Sequence, residues 1–172
     1  MADMRLNLGC GVQVVDGWIN FDIDPQNDER VMRGDVLNGL PFQSESISEI
    51  YTGHFLHLFT YYEVRQILKE ALRVLHPAGE LRIAEFDPMT AFQAYLQDKP
   101  DYFPFEDELE PTPQGKLCRM LTWHSTRRTL WTAESMYPYL EEAGFGAVWK
   151  SEFGRHPLDQ RPRESFFMSA AS

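Results

Sequence analysis

Cysteine is nearly absent from this chain: Cys10 and Cys118 are the only two in 172 residues. Two thiols in unrelated segments make neither a disulfide framework nor zinc-ligand spacing. They fit a reducing compartment, which makes the cytoplasm the expected location. Long apolar runs are also missing. No stretch approaches the roughly 18–20 apolar residues that span a bilayer, and the opening MADMRLNLG does not follow the basic, apolar, small-residue order of a secretory leader. No membrane partner is expected. Positive charge is the third shortage, since 16 Lys and Arg against 26 Asp and Glu give a formal net charge of −10. General nucleic-acid binding depends on neutralising phosphates with lysine and arginine, so this balance argues against it. Two stretches depart from it locally: HSTRRTLW, with Arg127 and Arg128, and GRHPLDQRPRES. Each is either a local anion site or a solvated group of arginines.

What is present describes one globular domain with a hydrophobic core, at 43% hydrophobic and 24% charged residues. Strands are expected at about 4–8, ended by Gly9, at about 18–23, stopped by Pro25, near RVMRGD, and over ISEIYTG. Only about ten residues separate the first two strands, so a helix between them has one turn or is missing. TYYEVRQILKEALRVL places Val64, Ile67, Leu68, Ala71, Leu72 and Leu75 at helical spacing, with HPAGE as its stop. ELRIAEF is a strand, and DPMTAFQAYLQ a helix capped by Asp87 with Pro88 at its first position. Residues 98–128 read as a loop or lid insertion because Pro100, Pro104, Pro111 and Pro113 interrupt the segment. Thr132 caps a helix ended by Gly144, and GAVWKSEF and ESFFMSA form two late strands. The alternation predicts an α/β, three-layer fold. Its sheet is mostly parallel with an antiparallel late edge, and one face has a reduced number of helices.

The turn LGCG after the first strand carries a chemical reason. Glycine permits φ > 0 and lets a ligand approach backbone N–H groups. In open parallel sheets ligands sit at the carboxyl ends of the strands, where an acid ending the next strand can accept from a ribose diol. Asp22 is in that place. A Gly-x-Gly after a strand can equally be a plain tight turn.

The order of motifs is more specific than any one of them. LNLGCG, GWINFDID, GDVLNGLPF, ISEIYTGHFLHLF, LKEALRVLHPAGELRIAEFDP and LTWHS…WTAESMYPYLEEAGF follow one another over nearly the whole chain. In this the chain resembles the S-adenosylmethionine-dependent methyltransferases with a Rossmann-like fold, and within them a group of small bacterial proteins that open LNLGCG…GWINxD. The resemblance implies S-adenosylmethionine as cofactor. It implies Gly9, Cys10 and Gly11 along its methionine and ribose part, Asp22 on the ribose hydroxyls, and Ile23 against the adenine. It further implies Asp35 and the Val36 backbone at the adenine edge, and Gly53 and His54 beside the sulfonium. Asp35 can also be read as a loop carboxylate capping a local turn. Asn7 stands where the family carries an acid, Gln13 where a third glycine is frequent, and His57 and Leu58 where relatives read Glu and His.

Methyl transfer from a sulfonium needs alignment, and a base only where the nucleophile must lose a proton. His54 and His124 are the catalytic candidates, ahead of His57, Glu85 and Asp87. The expected activity is methyl transfer to a small-molecule or glycosyl acceptor. A cofactor-binding partner domain without catalysis is the alternative. A nicotinamide dehydrogenase is disfavoured because GCGVQV lacks the third glycine of G-x-G-x-x-G. Segment 98–128 either covers the acceptor pocket, with Trp123 and His124 facing it and Arg127 or Arg128 available to an anionic acceptor group, or it covers exposed apolar surface or forms a contact in a homodimer.

Overall fold

The computed structural model describes residues 4–105, 110–123 and 125–172. Seven strands form one sheet: β1 (Arg5–Leu8), β2 (Ile19–Asp22), β3 (Val31–Arg33), β4 (Ile47–Gly53), β5 (Leu75–Phe86), β6 (Ala147–Ser151) and β7 (Ser165–Ala171). Their order is β3-β2-β1-β4-β5-β7-β6. The pairs from β3 to β5 are parallel, and β7 runs antiparallel to both β5 and β6. The two late strands thus make the antiparallel edge, with β7 as its inner member, and the α/β expectation holds. Four α-helices are described: α1 (Tyr61–Val74), α2 (Pro88–Leu96), α3 (Pro113–Thr122) and α4 (Ala133–Ala143). Among the described residues no helix is long and apolar enough to cross a membrane.

One face of the sheet is ordinary. Leu6, Leu8, Ile50, Leu81, Ile83 and Met168 are buried against α1 and α4. The period of α1 supplies Val64, Ile67, Leu68 and Ala71, and Thr60 with Glu63 closes a capping box at its start.

The other face has no helix between β1 and β2. A row of buried side chains in one register crosses it instead: Asn20, Asn7, Tyr51, Arg82 and Ser169. Cross-strand partners share a face, so these five polar groups lie side by side. Each meets loop backbone or a polar partner. Asn20 bonds both the N–H and the carbonyl of Val15 at 3.0 Å, and Asn7 donates to the carbonyl of Gln13 at 2.7 Å. Tyr51 donates to the carbonyl of Leu158 at 2.8 Å, and Ser169 bonds Ser151 at 2.8 Å. Arg82 pairs with Asp159 at 2.5 Å, the two side chains being 4% and 1% exposed. The same Asp159 also accepts from the N–H of Gly154 at 2.9 Å. The row therefore holds down two loops, 9–18 and 152–164, over a flank where no helix connects β1 to β2. His156 seals the gap by stacking on Tyr51 at 4.7 Å, with Trp18 edge-on at 5.2 Å.

Two expectations need correction. HPAGE does not separate α1 from β5: Leu75 is already extended and pairs with Ile47, while the N–H groups of Glu45 and Ser46 take the last carbonyls of α1. The four-residue stretch 76–79 is absorbed as an irregularity in the β4–β5 register. Residues 98–128 are not loop throughout, since α3 occupies Pro113–Thr122. Pro113 sits in its first turn, where a missing N–H costs nothing, and Thr112 caps it through the N–H of Gly115. Proline blocks a helix interior; here it begins one.

The Arg82–Asp159 pair gives a stability test. Asp159→Ala strands a guanidinium in the interior and should lower unfolding stability by about 3–5 kcal/mol in urea titration. Replacing both partners with apolar residues should cost clearly less. Equal losses for the single and double variants would mean that the pair does not anchor the 152–164 loop.

Candidate active site

The carboxyl ends of β1 to β4 open on a cleft of about 420 Å³. Gly9, Cys10, Gly11, Asp22, Ile23, Asp35, Val36, Gly53 and His54 all line it. Phe55, Leu58, Phe59, Gln160 and Arg161 close its other side. Asn7 is the exception among the expected residues. It is 2% exposed and absent from the lining, its amide spent on Gln13 and Asn20. Its part is to hold the glycine turn from beneath. His124 lies outside the described residues.

Gly9 has no room for a side chain. A Cβ there would lie 2.1 Å from the ring of Phe55, and its φ is +68°. Phe55 therefore packs directly on the turn. The N–H of Gly11 donates to Asp22 Oδ2 at 2.9 Å, and that of Asp24 to Asp22 Oδ1 at 3.0 Å. Each oxygen of Asp22 is oriented by one backbone bond and keeps acceptor capacity for a diol. Asp35 does both things the sequence allowed: Oδ1 caps the turn at Val36–Asn38 through the N–H of Leu37 at 3.0 Å, and the residue lines the cleft. Ile23 is 60% exposed at the mouth, an apolar surface available to a planar ring. Burial, with the Asp22 carboxylate adding to it, pushes the Cys10 thiol up to about 11, so this cysteine is no nucleophile at neutral pH.

The far end of the cleft is organised by Glu85, which is fully buried on β5. It accepts from the N–H groups of Phe55 and Leu56 at 2.8 and 2.7 Å and bonds His57 Nδ1 at 2.8 Å. Burial alone would raise its pKa; His57 and these hydrogen bonds outweigh that and hold it below the usual carboxylate range. His57 and Glu85 thus clamp the turn after β4 to the end of β5. The carbonyl of His57 in turn accepts from the N–H groups of Arg128 and Thr129 at 2.8 and 3.2 Å.

His54 sits where β4 ends, with φ +53° and its N–H bonded to the carbonyl of Ala84 at 2.7 Å. Its Nε2 lies 3.1 Å from Ser165 Oγ, and its buried Nδ1 has no partner among the described residues. Burial pushes the imidazole down to about 4, assisted by Arg161 and Arg127 and opposed by Glu85. Above that pH the ring is neutral and one nitrogen carries a lone pair.

Sequence reasoning missed three things here. Gln160 and Arg161 reach the cleft from the distant 152–164 loop, and a basic loop alone gave no sign of where it would fold. Arg127 stacks its guanidinium 3.8 Å from the centre of the Phe86 ring. The Glu85–His57 clamp joins residues far apart in sequence, although the polar Glu85 inside the apolar run ELRIAEF was a signal.

Comparison with known proteins agrees with this geometry. The family model for a methyltransferase domain matches residues 6–83. A SAM-dependent methyltransferase from Archaeoglobus fulgidus superposes with a TM-score of 0.66 at 13% identity, covering 99% of this chain and 87% of its own. One from Mesorhizobium loti gives 0.60 at 16% identity, covering 98% and 90%. The trans-methyltransferase CalH, in complex with the demethylated product SAH, gives 0.56 at 14% identity, covering 98% of this chain and 51% of its own. No curated protein matches the sequence. The chain thus carries a methyltransferase-domain match over its first half and has the fold of S-adenosylmethionine-dependent methyltransferases.

His54 makes a pH prediction. Its folded pKa of about 4 lies below the ordinary 6.5, so between these values the unfolded chain binds a proton that the folded ring does not. Stability should fall as pH drops from 6.5 toward 4. His54→Gln should flatten that part of a denaturation-versus-pH curve, and an unchanged slope would show that the ring is not held neutral.

Proposed function

We propose that this protein transfers the methyl group of S-adenosylmethionine to a small-molecule acceptor, with the cofactor in the 420 Å³ cleft and the acceptor approaching from the side of His54. One observation carries the reading. Asp22 and Asp35 end successive strand turns on one wall of a cleft whose floor is the Gly9–Gly11 turn, which is the chemistry a ribose and an adenine edge require. When bound, S-adenosylmethionine supplies an electrophilic methyl: the acceptor's lone pair forms the new bond to carbon, the sulfur–carbon pair returns to sulfur, and any proton on the nucleophile must leave.

The chain's own residues have distinct tasks. Asp22 accepts from the ribose diol, Ile23 covers the adenine, and Asp35 with the Val36 backbone meets the adenine edge. Gly9, Cys10, Gly11 and Gly53 leave the space that the methionine part needs. His54, kept neutral by burial, orients the nucleophile and takes its proton at a ring nitrogen. His124 belongs to the same proposal as a second base.

Segment 98–128 is the cover of the acceptor pocket in this reading. Its support is the end of the segment, where Arg127 stacks on Phe86 and the N–H of Arg128 bonds the His57 carbonyl at 2.8 Å. Both contacts tie it to the carboxyl ends of the central strands. Hydrogen exchange with and without SAH tests this. Added protection within 98–128 is expected, and protection limited to Gly9–Gly11 would leave the segment as a spacer.

Asp22→Asn keeps one oxygen for the N–H of Gly11 and removes the charge. Losing the charge-assisted bonds, worth about 1.5–3 kcal/mol, should weaken SAH at least about tenfold in calorimetry. Unchanged affinity beside strong wild-type binding would remove Asp22 from the ribose.

A further inference from the structure

We infer that the methyl acceptor carries an oxyanion, a carboxylate or a phosphate, held by Arg127 and Arg161 beside Trp123. The inference rests on reading the cleft as a methyltransferase site and adds the substrate's chemical class.

The observation is a pair of cations without counter-ions. Arg30, Arg65, Arg73, Arg82 and Arg128 each pair with an Asp or Glu. Among the described residues, Arg127 and Arg161 have no carboxylate within ion-pair distance. Arg5, Arg33, Arg155 and Arg163 form no ion pair among the described residues either; what sets Arg127 and Arg161 apart is that both guanidiniums lie on one indole beside the cleft. Arg127 is half-buried, and its Nε is shut off from solvent with no acceptor. Its Nη1 donates to the carbonyl of Met120. Holding a guanidinium in this state costs solvation that a bound anion restores. Arg161 lines the cleft itself, in a left-handed conformation with φ +53°.

The two guanidiniums converge on one indole: Arg127 Cζ lies 5.3 Å and Arg161 Cζ 5.5 Å from the Trp123 ring. Both also act electrostatically on His54. Arg161 and His54 line the cleft, and Arg127 and Trp123 lie next to Arg161. Two carboxylates act on Arg127 from a distance, Glu85 and Glu164, but Glu85 is already spent on the turn after β4. An anionic acceptor would bond the arginines and meet the cationic sulfonium with opposite charge. The acidic remainder of the surface disfavours anions elsewhere, so the arginine pair also directs where such an acceptor settles.

The test uses benzoate, phenyl phosphate and neutral benzamide as probes, titrated calorimetrically into the protein with and without SAH. At least one anion should bind about tenfold or more tightly than benzamide, and the better of the two anions identifies the oxyanion. Arg161→Gln, on an exposed side chain, should abolish that margin, and Arg155→Gln, an exposed charge-matched control, should keep it. Arg127→Gln should abolish it as well, but that variant disturbs the stack on Phe86, so Arg161 is the deciding position. Benzamide binding as well as the anions, or a margin that survives Arg161→Gln, overturns the inference. So does an Arg161→Gln protein that loses SAH and keeps the anion, since that assigns Arg161 to the cofactor. Failure of wild-type protein to bind SAH removes the methyltransferase reading instead, while the anion margin of the unloaded protein still decides this one.

Discussion

An arginine buried in a β-sheet must be paired, and Arg82 is paired with Asp159 from a loop nearly eighty positions away in the chain. Much of one sheet face depends on that contact. With no crossover helix after β1, this flank of the strands needs another cover. The polar row from Asn20 to Ser169 substitutes for helix packing by hydrogen-bonding the backbone of two irregular loops. Directional bonds to loop carbonyls do here what interdigitated side chains do on the α1 and α4 face.

A second buried charge governs the other end of the molecule. Glu85 satisfies two backbone N–H groups and an imidazole at the point where β4 turns away from the cleft. This keeps Phe55 against Gly9 and sets the floor for a ligand. The interior thus contains two charged knots, one under the covering loop and one at the reactive end, and the apolar core lies between and beside them.

The sequence revealed the periodic parts and concealed the irregular ones. Helical spacing from Val64 to Val74, the Thr132 cap and the Asp87–Pro88 start all carry local signals, and each element forms where those signals put it. The glycine turn and the acids after it were legible as one group because residue type and order place them at the strand ends, where they line one cleft. Pro113 was misleading because proline's meaning depends on whether a helix begins or continues there. Asn7 was misleading too: a side chain beside a ligand turn can face the ligand or the scaffold, and only the register with Asn20 and Tyr51 decides which. The clamp of Glu85 on His57 and the arrival of Arg161 at the cleft are products of tertiary folding with no local pattern.

The loop that fills in for the crossover helix ends its buried part at Asp159 and presents Gln160 and Arg161 to the cleft in the next two positions. Anchor and reader are chain neighbours. Substitutions at 160 and 161 can therefore retune what the cleft accepts while the interior stays intact. A change in loop length, by contrast, would shift the anchor and the reader together. Diversification of substrate choice on this scaffold is thereby channelled toward point changes at two positions, and insertions are penalised by the same bond that closes the sheet.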